Sequence, residues 1–248
     1  MSLTVRRFRR PAPGFAVALA LATLAAGALT AGAPTAGTLD LNAPGRTDSD
    51  KDRDSYNKPA ELFEFWGLKD GMAVMDLFPG GGYTTQLIGQ WVGPKGRVLA
   101  YASYSHDKFQ ERMSKAGLKN VEEMVLEYPK GFEELDKHLA KLPAASLDAV
   151  ITIRNYHDLK NPKEVLAELK RVLKPGGILG IADSRTWTGK RDEPNCRIGE
   201  DLIIREVTEA GFKLAGVSQM LSNPKDDYSK GFWDARWIVD QACLKFTR

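Results

Sequence analysis

The 248-residue sequence has only three histidines, His106, His138 and His157, and two cysteines, Cys196 and Cys243. No ligand spacing links the histidines to one another, which disfavours a metal hydrolase; no metal ligand is assigned. Cys243 reads as a core strand position and Cys196 as a loop residue, so two free thiols are expected rather than a disulfide. An excess of charge is missing as well. Lys and Arg number 35 against 32 Asp and Glu, and four of the arginines (Arg6, Arg7, Arg9 and Arg10) stand in a stretch, residues 1–33, that holds no acid. Setting those four aside from the 35 leaves 31 basic residues against 32 acidic ones. The basicity therefore belongs to the N-terminus, and no nucleic-acid surface is implied. Internal repeats are absent, and apolar runs of membrane-spanning length are confined to the segment from Phe15 to about Ala33.

That segment follows the four arginines and leads to small residues around Ala31-Gly32-Ala33, the layout of a secretory signal peptide over residues 1–33. A membrane anchor is the alternative, because the run approaches the ~20 apolar residues that span a bilayer. Small-residue composition favours cleavage, and with it export to the periplasm and no stable membrane span afterwards. The paired arginines raise a twin-arginine route. Residues 34–54 are polar, charged and Gly/Pro-bearing, and are expected to be a flexible lead-in to a folded domain at 55–248.

Within that domain, short apolar runs alternate with helix-like stretches. A helix is expected after Ser55, which looks like its cap, then a strand at Ala73–Phe78 and a helix at Tyr83–Trp91. Strands at Arg97–Ala102, Val121–Leu126, Leu147–Ile153 and Ile178–Ala182 alternate with helices at His106–Ala116, 131–141 and Pro162–Leu173. Glu200–Ala210 closes the helical set, and Phe212–Met220 and Arg236–Phe246 read as a final strand pair. The alternation predicts a doubly wound, Rossmann-like α/β sheet, mostly parallel, with an antiparallel last strand.

Ligands of such sheets bind outside the carboxyl ends of the strands, where strand order reverses. The first strand runs into Asp76-Leu77-Phe78-Pro79-Gly80-Gly81-Gly82-Tyr83, whose glycines allow close backbone approach and whose helix offers free N–H groups. By itself this stretch is equally a tight turn with a structural carboxylate. The fourth strand ends in Arg154-Asn155-Tyr156-His157-Asp158; His157 is a general-base or substrate-binding candidate, while Asn161 before Pro162 reads as a helix cap. Asp183 and Arg185 leave the fifth strand toward the same cleft, a surface ion pair being the plain alternative. Two Tyr-x-x-x-Lys spacings, at Tyr104 and Tyr156, match a nicotinamide-dependent reductase but lie on no long helix after a suitable strand.

The combination of DLFPGGGYTTQLI, Asp148 opening strand four, NYHD, RVLKPGGIL, AGFKL and the late NPKDD resembles class I S-adenosylmethionine-dependent methyltransferases. More narrowly it is similar to a family of exported bacterial methyltransferases, from about Asp50 to the C-terminus. The resemblance implies S-adenosylmethionine as cofactor, held by Asp76, Pro79, Gly80, Gly81, Gly82 and Tyr83. It places Asn155, Tyr156 and His157 between cofactor and acceptor as catalytic residues. Asp158, Asp183, Arg185 and Arg197 are then candidates for contact with a small-molecule or envelope acceptor, with 184–196 covering the acceptor pocket. A catalytically inactive exported binding protein with the same fold is the alternative. The sequence departs from the pattern in four places, one of them Asp183-Ser184-Arg185 where the narrower family shows Asp-His-Arg. Phe78 stands where a glycine is usual, the second strand offers no ribose-holding acid before Asp107, and Cys196-Arg197-Ile198-Gly199 replaces His-Arg-Ile-Asp.

Overall fold

A computed structural model describes residues 37–102, 107–126, 130–235 and 239–248. The expected signal peptide lies outside them, as do Ser103, Tyr104 and His106. Helices α1 (Asp48–Asn57) and α2 (Pro59–Trp66) precede strand β1 (Ala73–Leu77), α3 (Tyr83–Trp91), β2 (Arg97–Ala102), α4 (Asp107–Ala116) and β3 (Val121–Val125). Two short helices, α5 (Lys130–Glu133) and α6 (Leu135–Leu139), lead to β4 (Leu147–Ile153), a 3-10 turn at Tyr156–Asp158, α7 (Pro162–Val172) and β5 (Leu173–Ser184). A small ribbon, β6 (Arg191–Asp192) and β7 (Arg197–Ile198), is followed by α8 (Glu200–Glu209), β8 (Lys213–Val217), α9 (Phe232–Ala235) and β9 (Gln241–Thr247).

Seven strands hydrogen-bond in the order β3-β2-β1-β4-β5-β9-β8. The first five run parallel, and β9 is antiparallel to both β5 and β8, as the alternation predicted. The chain winds outward from β1 to β3 and returns at β4, so the crevice between the carboxyl ends of β1 and β4 is the binding position of this topology.

Helices cover both faces, which is why the central strands are apolar at consecutive positions rather than alternate ones. On one face Met75, Leu77 and Val150 pack with Val165, Leu166, Leu169 and Val172, the buried stripe of α7. On the other, Val74, Ala149 and Ile151 pack with Leu87 and Ile88 of α3 and with Trp66 of α2. Trp66 is fully buried, and its indole N–H donates to Leu244 O at 3.0 Å. Gly180 in β5 makes that seat possible: a Cβ there would lie 2.7 Å from the Trp66 ring.

Several boundaries differ from the sequence expectation. Residues 37–54 are a folded part of the domain, not a flexible lead-in. Gly37 N–H donates to Trp91 O (2.9 Å), Gln86 Nε2 to Pro44 O (2.8 Å), and Arg112 Nη1 to Asp50 Oδ2 (2.6 Å). The physical reason is a Thr47–Asp50 capping box that starts α1 in a segment with almost no apolar stripe. Ser55 lies inside α1, and α2 begins instead at Pro59 after a left-handed Lys58. The stretch 131–141 is two helices rather than one. Asn161 occupies the cap position of α7, but its Nδ2 donates to Glu133 O at 3.0 Å instead of its side chain capping the helix. The Lys-Pro-Gly-Gly turn lies within β5, where Lys174 Nζ reaches Asp148 Oδ1 at 2.7 Å. Because Asp148 Oδ2 also accepts from Ala73 N–H at 2.8 Å, this carboxylate ties together the starts of three neighbouring strands. Among the described residues no helix is long and apolar enough to cross a membrane.

Candidate functional site

A pocket of about 310 Å³ opens at the crevice between β1 and β4. Its first wall is the loop after β1. Asp76 lies at the buried end of the strand and accepts a 2.6 Å hydrogen bond from Thr85 Oγ1. Burial raises its carboxyl to about 7, with Thr85 pulling the other way. Gly82 starts α3 at φ +78, and a Cβ there would be 2.8 Å from the Phe109 ring, so glycine is required by both conformation and space. In front of Gly80 a Cβ would meet nothing within 4 Å, and at Gly81 the nearest atom is 4.0 Å away. Arg112 of α4 holds this loop by donating to Gly81 O (2.8 Å), to Gln86 Oε1 (3.1 Å) and to Asp50 (2.6 Å).

Phe78, the residue in place of the usual glycine, has φ +62 and stacks on Phe132 with centroids 4.3 Å apart at 11°. Aromatic packing thus holds a backbone conformation that a side chain normally resists. Phe78→Gly is expected to cost about 2 kcal/mol and Phe78→Ala about 1 kcal/mol more, because alanine loses the stacking and keeps the strain. Urea denaturation of both variants reads the difference; equal stability of the two would contradict it.

The second wall is the loop after β4. His157 Nδ1 lies 2.8 Å from Asp183 Oδ1, and Asp183 also accepts from the backbone N–H groups of His157 (3.0 Å) and Ser184 (2.7 Å). A carboxylate can only accept, so the proton sits on Nδ1 and Nε2 is the basic nitrogen, 3.4 Å from Asp158 Oδ2. Burial works against a charged imidazole here, but Asp183 and then Asp158 outweigh it and raise the His157 pKa above its ordinary 6.5. Asp158 is itself raised, chiefly by burial. Asn155 Nδ2 donates to Ile153 O (2.8 Å) and Phe78 O (3.3 Å), bridging the two walls.

Of the residues expected at the site, Asp76, Pro79, Gly80, Gly81, Tyr83, Asn155, His157 and Asp158 line the pocket. Gly82 caps α3 behind it. The Tyr83 hydroxyl is committed to Asp54 Oδ1 at 2.7 Å, and the Arg53 guanidinium lies over its ring, 4.2 Å from the centroid. Four expected site residues, and the expected covering loop, need correction. Tyr156 points away: its hydroxyl donates to Glu206 Oε2 at 2.8 Å, because the 3-10 turn alternates its side chains between core and pocket. Arg185 is bound to Glu200 (2.5 Å) and Asp240 (2.9 Å) and does not line the pocket. Arg197 is fully buried against Asp226 (2.9 Å) and donates to the Lys230 and Arg185 carbonyls, so it joins loops rather than meeting an acceptor. Asp183 is also fully buried, beneath His157 rather than at the pocket surface. Trp187 packs edge-on against Tyr228 at 4.8 Å, and from 184–196 only Cys196 reaches the pocket. Burial, then Asp158, Asp183 and Asp192, raise the Cys196 thiol and keep it protonated. Both cysteines are free.

Sequence reasoning missed Ser49 and Arg53 of α1, Arg154, and Phe232 and Trp233 of α9, all of which line the pocket. Arg154 adjoined the quoted loop motif; the others carry no local signal.

A family model described as a methyltransferase domain matches residues 68–230, from before β1 to the approach to α9. The chain belongs to this methyltransferase-domain family. A sterol 24-C-methyltransferase of Gibberella zeae is 30% identical over 168 residues, 67% of this chain and 40% of that protein. The chain spans about two fifths of the length of the curated relatives it matches. A solved S-adenosylmethionine-dependent methyltransferase from Aquifex aeolicus is 24% identical, with 82% of this chain and 99% of that one covered at a TM-score of 0.59. The [4+2]-cyclase SpnF also matches at a TM-score of 0.59, with 17% identity and 84% of each chain covered. At these identities the likeness is one of fold, and the cyclase makes plain that this methyltransferase-family fold does not dictate a single chemistry.

Proposed function

We propose that this protein transfers a methyl group from S-adenosylmethionine to a small-molecule or envelope acceptor, with His157 as the group that takes the acceptor's proton. The observation that carries the reading is the convergence on one pocket of an open glycine loop with a buried carboxylate and of a histidine oriented by a second buried carboxylate.

The residues present fit the amino-acid end of that cofactor. Among the described residues Asp76 accepts one hydrogen bond, from Thr85, which leaves lone pairs for an ammonium group. The open space before Gly80 and Gly81 admits a ligand against the backbone, and the unspent N–H groups of the first turn of α3 suit a carboxylate. When bound, the cofactor supplies a methyl on a sulfonium, which departs as a neutral thioether once an acceptor lone pair takes the methyl carbon. The chain's part is to hold the acceptor in line, exclude water, and accept at His157 Nε2 the proton the acceptor loses, while Asp183 stabilises the resulting imidazolium. A fold kept for binding alone gives no reason for a buried carboxylate dedicated to orienting a pocket histidine, so that alternative is set aside.

Calorimetry with S-adenosylmethionine and S-adenosylhomocysteine tests the reading: both are expected to bind, and absence of heat from either at about 1 mM ligand removes it. Export belongs to the proposal as well, supported by the four arginines and apolar run of residues 1–33. N-terminal sequencing of the protein from a periplasmic fraction is expected to begin after about residue 33; an intact Met1 start in the cytoplasm would contradict it.

A further inference from the structure

The pocket has a side that the cofactor reading leaves unused, formed by Arg53, Arg154, Phe232 and Trp233. Arg154 is half-buried with φ +57, a left-handed conformation outside the usual range of a side-chain-bearing residue. Its Nη1 donates to Asn57 Oδ1 (3.1 Å) and Gln241 Oε1 (3.5 Å), both neutral amides. Arg112 across the same pocket is neutralised by Asp50 at 2.6 Å, whereas no carboxylate among the described residues lies within ion-pair distance of Arg154. Burial first, and the neighbouring Arg53 second, depress the Arg154 guanidinium to about 10. Asp183 acts on the guanidinium only from beyond ion-pair distance and more weakly than burial and Arg53 do, and a desolvated cation next to another cation with no carboxylate in contact is costly unless something anionic joins it.

The surroundings also say what shape that partner has. The Arg154 guanidinium lies 4.5 Å from the centroid of Phe232, which fixes its plane, and Trp233 meets Phe232 edge-on at 5.3 Å while 68% exposed. These two rings give the pocket an apolar aromatic surface directly beside a guanidinium that has no ion-pair partner among the described residues. The pocket's acids, Asp76 and Asp158, are placed with the glycine loop and with His157 instead.

We propose that the methyl acceptor is an aromatic compound carrying a carboxylate, with the anion held by Arg154 and the ring against Phe232 and Trp233. This assignment of acceptor class rests on the methyl-transfer reading; the anion site itself does not.

Calorimetry of the purified protein with 4-hydroxybenzoate and with its neutral counterpart 4-hydroxybenzamide, each with and without S-adenosylhomocysteine, tests it. The carboxylate is expected to bind about tenfold tighter than the amide. In Arg154→Met, which keeps an apolar stem on Phe232, that preference is expected to shrink to within about twofold, with S-adenosylhomocysteine affinity unchanged. Equal binding of acid and amide by the native protein, or binding of neither, overturns the proposal without reference to any variant. Loss of S-adenosylhomocysteine affinity in Arg154→Met, with the carboxylate preference retained, would give Arg154 to the cofactor's own carboxylate and overturn the proposal while the methyl-transfer reading stands. Carboxylate preference in a protein that binds no S-adenosylhomocysteine would uphold the anion site and remove the methyl-transfer reading instead.

Discussion

His157→Ala is expected to lower the methyl-transfer rate about 10²–10⁴-fold, the usual contribution of a positioned general base, while S-adenosylhomocysteine affinity stays within about twofold. The asymmetry follows from position: His157 belongs to the loop after β4, whereas the expected cofactor contacts lie on the loop after β1. Asp183→Asn should reproduce most of the rate loss without touching the acceptor. An amide at 183 has one oxygen for the three N–H donors that Asp183 now serves, and its NH2 group faces His157 or Ser184 as a competing donor. The variant should therefore also lose about 1–3 kcal/mol of stability, because a buried donor is left without a partner. The base must be neutral to work, and its pKa is raised above 6.5, so turnover should climb with pH through a midpoint above that value. The stabilising effect of the His157–Asp183 pair on the fold has the opposite slope: it is fully present below the ordinary histidine pKa and lost as pH rises through the raised one. An unchanged rate in His157→Ala takes His157 out of the mechanism, and a flat rate profile between about pH 6 and 8 would do the same for its titration.

Asp76→Asn should separate stability from affinity. Moving a carboxyl from 3.8 to about 7 corresponds to about 4 kcal/mol against its ionised form, on an order-of-magnitude reckoning. The folded pKa is raised, so the stability that Asp76 permits is complete below about pH 4 and is lost progressively as pH rises through about 7. Asparagine can still accept from Thr85 and never ionises. At pH 8 the variant should thus be more stable than the native protein by on the order of 2–4 kcal/mol, with the gain vanishing near pH 4. Cofactor affinity should move the other way, falling at least about tenfold, because an ammonium group loses a charged acceptor in a buried setting. For the native protein, the same titration predicts tighter S-adenosylmethionine binding as pH rises from about 6 to 8. Thermal denaturation against pH and calorimetry against pH measure the two trends. A variant that is no more stable at pH 8, yet binds as tightly as the native chain, would show Asp76 to be an ordinary strand carboxylate.

The fold was legible because its signals are local. Apolar runs such as Val98–Tyr101 and Ala149–Ile151, and the i, i+1, i+4, i+7 stripe of α7, follow from burial on a two-sided sheet, and the turn after β1 announces itself by its glycines. The same locality explains the misses. Helix α1 is almost uniformly polar, and only its docking onto Tyr83 and Arg112 shows that it belongs to the domain. Tyr156 and His157 are adjacent in a candidate loop, yet a single step in a 3-10 turn sends one to Glu206 and the other to the pocket.

From its sequence alone, then, this protein had its strand and helix alternation, its antiparallel last strand and its glycine loop determined, since period and backbone conformation are properties of neighbouring residues. Tertiary structure alone decided which charges meet. It put Asp183 under His157, withdrew Arg185 and Arg197 into ion pairs, and brought Arg154 from the end of β4 beside Phe232. Those pairings join residues 15 or more positions apart, and a charge's role depends on the partner it finds and the water it loses, neither of which is written in its immediate neighbours.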